Sequence, residues 1–310
     1  MIVTLILALL STFFALSAPA WAVNVNCPAD SLQSALDNAN PGDTIVVSGT
    51  CTGNFLVRND KVRVFIQSTG LVSGVCVGPT ATIDGGANGT ALDIRGKGIS
   101  VTCMIITGGN NNGGIVVQRG SNAVLDQNIV QNVNGVGITV ALSASGVITN
   151  NEIKNNALAG IQVIENSSAR IGWNNSISGP AAPNDIHNNG FGIWLLGASS
   201  ASIVGNTIHN NLLEGIVVSR GAQADVSNNA IDGNGGSGIW VSGNSAVSLT
   251  NTTGIFSGPG NTTTTNNHDF GMRCSAGGNI KGSIGTLNGV IGQTSIDSSC
   301  HVCPPLDCGF

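Results

Sequence analysis

Six ionisable residues in the middle of the chain, Glu152, Lys154, Asp185, His187, His209 and Asp232, recur at matching places of a repeated pattern and carry the groups that proton-transfer chemistry needs. Asn-x-aliphatic triplets recur there, and the residue after each aliphatic reads Gln131, Lys154, His187, His209, Asp232. The residue just before each aliphatic reads Glu152, Asp185, Thr207 and Ala230 from the second triplet on. If every triplet begins a short strand, alternation turns both columns to one outer face. Imidazoles and carboxylates stacked about 5 Å apart shift one another's pKa, as acid/base catalysis or metal capture requires. The reading adopted is catalysis, with His187 or His209 as base, Lys154 neutralising negative charge, and Asp185 or Asp232 orienting an imidazole. It assigns no metal and no cofactor. The plainer alternative is a solvated polar face with favourable cross-strand pairs.

A second candidate set is for substrate binding. Trp194 and Trp240 share another outward column two repeats apart, about 10 Å, and indole faces suit the apolar face of a sugar ring. Glu214 stands just before its own repeat, one repeat from Phe191, as a spare carboxylate for that face. The competing reading has the tryptophans packed under a loop or the terminal segment.

Gly-Ile-x-Val-like tetrads must position these groups. Gly114, Gly137, Gly160, Gly192, Gly215 and Gly238 each open a short apolar run, with steps of 23, 23, 32, 23 and 23 residues. A β-rich period of this length reads as a solenoid. Ile and Val of the tetrads line its interior, while Val116, Thr139, Gln162, Trp194, Val217 and Trp240 are expected to point outward. The triplets, with Asn128, Asn151, Asn184, Asn206 and Asn229, keep step with the tetrads. An inward amide needs partners, which the same residue one coil away supplies, so the asparagines are read as architecture.

The chain has 310 residues, 44 of them Gly, no Tyr and 9% charged residues, a composition of tight turns and stacked strands. Net charge is −5 and no basic stripe occurs, which argues against nucleic acid as a partner. Residues 1–22 read as a signal peptide: an apolar run Ile2 to Ala15, too short to span a bilayer, precedes Ala20-Trp21-Ala22, although no Lys or Arg precedes the run. The mature chain, 23–310, is expected to be secreted as a single domain without a transmembrane segment. Eight cysteines agree with export; Cys27 and Cys51, then Cys76 and Cys103, are about one coil apart, but spacing alone leaves the connectivity open. Metal binding by Cys300-x-x-Cys303 is the sharper alternative. Leu32, Ala35, Leu36 and Ala39, with Asp30 or Ser31 as N-cap, predict a short helix closing the first coil. The long steps place two insertions, 173–183 and 253–265, on one edge, where they can wall a groove.

The paired Gly-Ile-x-Val and Asn-x-Ile registers resemble right-handed parallel β-helix repeat proteins, the pectin-lyase-like superfamily of pectate lyases, polygalacturonases and alginate epimerases. The resemblance covers roughly Ala91 to Cys274. It implies an all-β solenoid of about eleven coils, and it leaves activity open because one fold hosts many functions. Asp-Pro-His-Asp, Gly-His-Gly and Arg-Ile-Lys signatures are absent, and Asn184-Asp185-Ile186-His187 has Ile where the epimerase motif has Pro. The function expected is an exported β-helix that binds an extended polysaccharide. If it is an enzyme, it is a lyase or uronate epimerase with the roles given above; the alternative is a non-catalytic structural or adhesive surface protein. Oligomeric state and the identity of the polysaccharide are not legible in the sequence.

Overall fold

The computed structural model describes residues 21–110, 113–173, 182–249 and 260–303. Within them the chain winds as a right-handed parallel β-helix. The tetrads form one sheet of ten parallel strands running from Phe55–Val57 to Gly292–Ile296. The triplet strands Glu152–Lys154, Asp185–His187, Thr207–His209 and Ala230–Asp232 stack in register as a second column. A third column precedes each triplet, including Asn122–Asp126, Ser168–Ile171, Ser200–Val204 and Gln223–Ser227.

The core follows from alternation along these strands. Ile115, Ile138, Ile161, Ile193, Ile216 and Ile239 pair coil to coil and are fully buried. The tetrad glycine has a steric cause: a Cβ on Gly192 would lie 2.3 Å from the Gly215 carbonyl oxygen and 2.6 Å from Ile208 Cγ2. Only a bare backbone lets successive coils close that tightly.

Two amide ladders hold the coils in register. Asn128, Asn151, Asn184, Asn206 and Asn229 each donate from Nδ2 to the next Oδ1 at 2.9–3.0 Å, the last acceptor being Asn261. Each also donates to a backbone carbonyl of the preceding coil, and each Oδ1 accepts a second bond from a backbone N–H. A second ladder, Asn156, Asn189, Asn211, Asn234 and Asn267, repeats this arrangement at the other end of the triplet strands, a role the sequence reading did not assign. Residues just before the first ladder, such as Gln127, Asn150 and Asn228, take φ of 54–57°, which turns the chain sharply between columns.

The N-terminal end is closed as expected. Helix Leu32–Asn38 buries Leu32 and Leu36, and Ser31 rather than Asp30 is the N-cap, its Oγ accepting from Ser34 N–H at 3.2 Å. The expected cleavage point after Ala22 falls at the start of strand Ala22–Cys27, which pairs with the next coil. Disulfides Cys27–Cys51, Cys76–Cys103 and Cys274–Cys300 resolve the connectivity that spacing left open. Cys303 is disulfide-bonded too, so the Cys300-x-x-Cys303 pair is no metal site. Two expectations change in detail. Val116, Thr139 and Val217 lie outside the interior but are buried, Val217 because it sits in register between Trp194 and Trp240. Insertions 173–183 and 253–265 fall mostly outside the described residues, which omit 174–181 and 250–259. Among the described residues, no helix is long and apolar enough to cross a membrane.

Asn206 sits mid-ladder, so replacing it breaks bonds on both sides. Asn206→Ala is expected to cost about 3 kcal/mol or more, because several buried groups on adjacent coils lose their partners. Urea unfolding of the two proteins measures this, and a loss below about 1 kcal/mol contradicts it.

Candidate functional site

The triplet column brings the predicted titratable residues together on one face, each held by a three-residue strand between the two ladders. The His187 and His209 rings stack with centroids 4.9 Å apart and planes 11° from parallel. His209 Nε2 lies 3.0 Å from Asp185 Oδ1, and its Nδ1 lies 2.9 Å from Asn210 Nδ2, so this imidazole is oriented from both sides. His187 Nε2 is 3.4 Å from Glu152 Oε1. Lys154 Nζ is 2.6 Å from the same oxygen, so the ammonium expected to neutralise a substrate charge already has a partner. Burial works against charge on Glu152, but Lys154 and then His187 outweigh it and hold the carboxyl below its ordinary range.

Asp232 behaves otherwise. Its carboxylate accepts from the Thr264 and Thr265 backbone N–H groups and from Thr264 Oγ1, tying down the chain that re-enters after the second insertion. Asp185, not Asp232, touches an imidazole. The carboxylate and imidazole atoms of Asp185, His187 and His209 lie within 4.8 Å of one another, a set that offers ligands to a metal ion.

The set expected to bind substrate lies on a different face, in and beside the tetrad sheet. Trp194, Val217, Trp240 and Arg273 follow one another in register. The indoles are half-buried, and their N–H groups donate to Ser219 Oγ at 3.5 Å and Ser275 Oγ at 3.0 Å. Phe191 packs 5.1 Å from Trp194, and the Arg273 guanidinium sits 5.1 Å from the Trp240 ring centroid. Glu214 is buried instead of standing free on this face. Desolvation raises its pKa, against the pull of Arg273. The eight predicted residues therefore divide between two sheets, and one segment of substrate does not meet both sets.

A concavity among the described residues lies on the third column and includes none of them. A groove of about 1170 Å³ follows seven parallel steps, from the strand at Asn122 to the strand at His301. At one strand spacing per step that is roughly 34 Å. Between its outward columns the groove is lined by the small residues Ala123, Gly146, Ala169, Ala201 and Ala224, the four alanines being core residues no more than 7% exposed. One wall column runs Asn122, Ser145, Ser168, Ser200, Gln223; the other runs Arg170, Ser202, Asp225, Ser248, Lys281. The Arg170 guanidinium stacks 5.5 Å from the Trp173 ring centroid. The Ser202 hydroxyl, in register between Arg170 and Asp225, has no partner among the described residues. Half-buried Asp225 has its pKa raised by desolvation, opposed by the Lys281 charge and a Ser248 hydrogen bond.

A signal for this groove does exist in the sequence. Ser-Ala-Arg-Ile, Ser-Ala-Ser-Ile and Gln-Ala-Asp-Val recur once per coil, with Ala at an inward position where the other columns carry Ile or Val. A small inward side chain lets a sheet curve toward the axis. In the sequence both insertions follow strands of this column, Ser168–Ile171 and Ala246–Leu249.

Comparison with known proteins bears on the same architecture. A family model described as the right handed beta helix region matches residues 45–182 and 181–254. The crystal structure of an alginate lyase from Paenibacillus sp. str. FPU-7 superposes with a TM-score of 0.56 at 19% identity, covering 91% of this chain and 99% of that one. That of the pectate lyase Pel9A gives a TM-score of 0.62 at 11% identity, covering 91% and 78%. At such identities the likeness is one of fold. No curated protein matches the chain.

Because the native state disfavours the charged form of Asp225, its ionisation costs stability. The cost is absent where the carboxyl is protonated in both states and appears as pH rises above about 4, the ordinary carboxyl value. Asp225→Asn is therefore expected to raise Tm near about pH 7 by more than it does near about pH 3.5. Melting curves across that range decide it, and a difference that does not change with pH contradicts the desolvated carboxyl.

Proposed function

This chain belongs to the right-handed β-helix family, and from that premise we propose that it is an exported protein that binds an extended acidic polysaccharide along the groove of the third column. The observation that carries the reading is the groove itself: about 34 Å long, floored by small apolar residues and lined by hydroxyl, amide and charged groups. Such a floor suits the apolar faces of sugar rings, and the hydroxyls and amides suit their edges. Arg170 and Lys281 stand four steps apart, about 19 Å, where each can neutralise a carboxylate of a polyuronate; Arg170 is pre-oriented by its stacking on Trp173. Two structural neighbours are lyases of alginate and pectate, both acidic chains, which agrees with this ligand class. Disulfides agree with an oxidising, extracytoplasmic location.

Asp225, midway between the two cations, is the groove's candidate for proton transfer. A carboxyl with raised pKa exchanges protons closer to neutral pH than an ordinary one. In a lyase or epimerase it would act at the carbon beside a uronate carboxylate held by a neighbouring cation.

Alginate, polygalacturonate and a neutral glucan test the proposal. Binding to the uronates is expected to weaken by about tenfold or more, ~1.4 kcal/mol, in Arg170→Ala plus Lys281→Ala, and to weaken with added salt. Affinity unchanged in that variant sinks the groove. Growth of absorbance from unsaturated ends, lost in Asp225→Asn while binding persists, identifies a lyase. Uronate binding with no conversion leaves a polysaccharide-binding rod.

A further inference from the structure

We infer that Asp185, His187 and His209 form a binding site for a single late first-row divalent cation of the zinc class, with a coordination position open to solvent. The site lies on the triplet face, apart from the groove, and does not rest on the polysaccharide reading.

The ligand chemistry comes first. Two imidazoles and one carboxylate are a donor set that suits zinc, cobalt or nickel, whereas calcium and magnesium take oxygen donors. The three donor atoms lie within 4.8 Å of one another. In a tetrahedral site with bonds of about 2.1 Å the donors stand about 3.4 Å apart, so closing the set brings the donors together by about an ångström or more and turns the two stacked rings out of parallel until both lone pairs meet one ion. Asp185, with 51% of its side chain exposed, has the most room to move, against 28% for His209 and 14% for His187, so the carboxylate is the ligand that swings furthest.

The frame beneath them is bonded at both ends. Strands Asp185–His187 and Thr207–His209 pair residue by residue. The first is bracketed by ladder residues Asn184 and Asn189, and the second by Asn206 and Asn211. Both Nε2 atoms reach toward carboxylates of the preceding coil, His209 to Asp185 and His187 to Glu152, which puts the two metal-binding nitrogens on the same side of the column.

An orienting partner is present as well. A metal-bound imidazole needs its other nitrogen held, and Asn210 Nδ2 lies 2.9 Å from His209 Nδ1. Turning that amide over lets Oδ1 accept from Nδ1–H when the metal takes Nε2. Lys154 meanwhile holds Glu152 as an ion pair, which leaves three protein ligands and a free position facing solvent. The assignment changes the chemistry open to this face, because a histidine that gives its lone pair to a metal cannot serve as the proton-accepting base.

The test uses the tag-free chain, stripped with a chelator, and calorimetric titration with Zn²⁺, Co²⁺ and Ca²⁺. Expected are one equivalent of Zn²⁺ bound, visible ligand-field absorption with Co²⁺, a Tm that rises with Zn²⁺, and no saturable Ca²⁺ binding under the same conditions. His187→Ala and His209→Ala should each weaken Zn²⁺ by about tenfold or more, and together abolish stoichiometric binding. His268→Ala, on an exposed histidine elsewhere, should leave it unchanged, and melting curves without metal establish that every variant is folded. Failure to bind one equivalent of Zn²⁺, one-equivalent binding that survives in the double variant, or an equal loss in His268→Ala overturns the site.

Discussion

Everything in this molecule depends on the bonding of each coil to the next. Its strands are three to six residues long through the regular array, too short to persist alone, and their N–H and C=O groups point along the solenoid axis instead of across a hairpin. Register between coils must therefore be enforced at the bends, and the two asparagine ladders do this. An amide carries two donors and an acceptor with two lone pairs, so within the ladder it is satisfied by a backbone carbonyl on one side and another amide at the same place in the next coil. The repeat length follows from that demand. Coils that carry insertions return to register because Asn184 and Asn261 must still meet their neighbours.

That constraint also governs where chemistry can be placed. A solenoid turns sequence neighbours into residues on different faces, and residues about 23 apart into contacts. Ionisable groups collect in columns, where each touches its counterpart in the next coil, as in the stack of Glu152, His187, His209 and Asp185. Such a column favours discrete sites with ligands drawn from adjacent strands. A groove of constant cross-section, repeated along the axis, favours a polymer. The triplet face and the third column are two uses of the same repeat.

The tetrad face shows the limit of alternation as a guide. Large aromatic side chains on an outward column cover the smaller residue between them, so Val217 is buried outside the barrel wall and Trp194 and Trp240 form an apolar slab with it. Their N–H groups are satisfied by serines of the same sheet, which reduces what they offer to a ligand. Glu214 is buried beside Gly236, where desolvation favours its neutral form.

The architecture was legible in the chain from its periods. The tetrads, the first ladder, the capping helix and the stacking of His187 on His209 all follow from alternation and a repeat near 23 residues, because both are local rules that propagate along a solenoid. The ladder role of Asn156, Asn189, Asn211, Asn234 and Asn267 was open to the same counting. Local rules say which side of a strand a residue occupies, not how the sheet curves or what covers it. Curvature is a property of many stacked coils, so only the tertiary structure decided that the third column is concave. Partner choice is likewise three-dimensional: the fold gave Asp232 to Thr264 and Thr265, gave Lys154 to Glu152, and separated the tryptophans from the histidines by a bend of the coil.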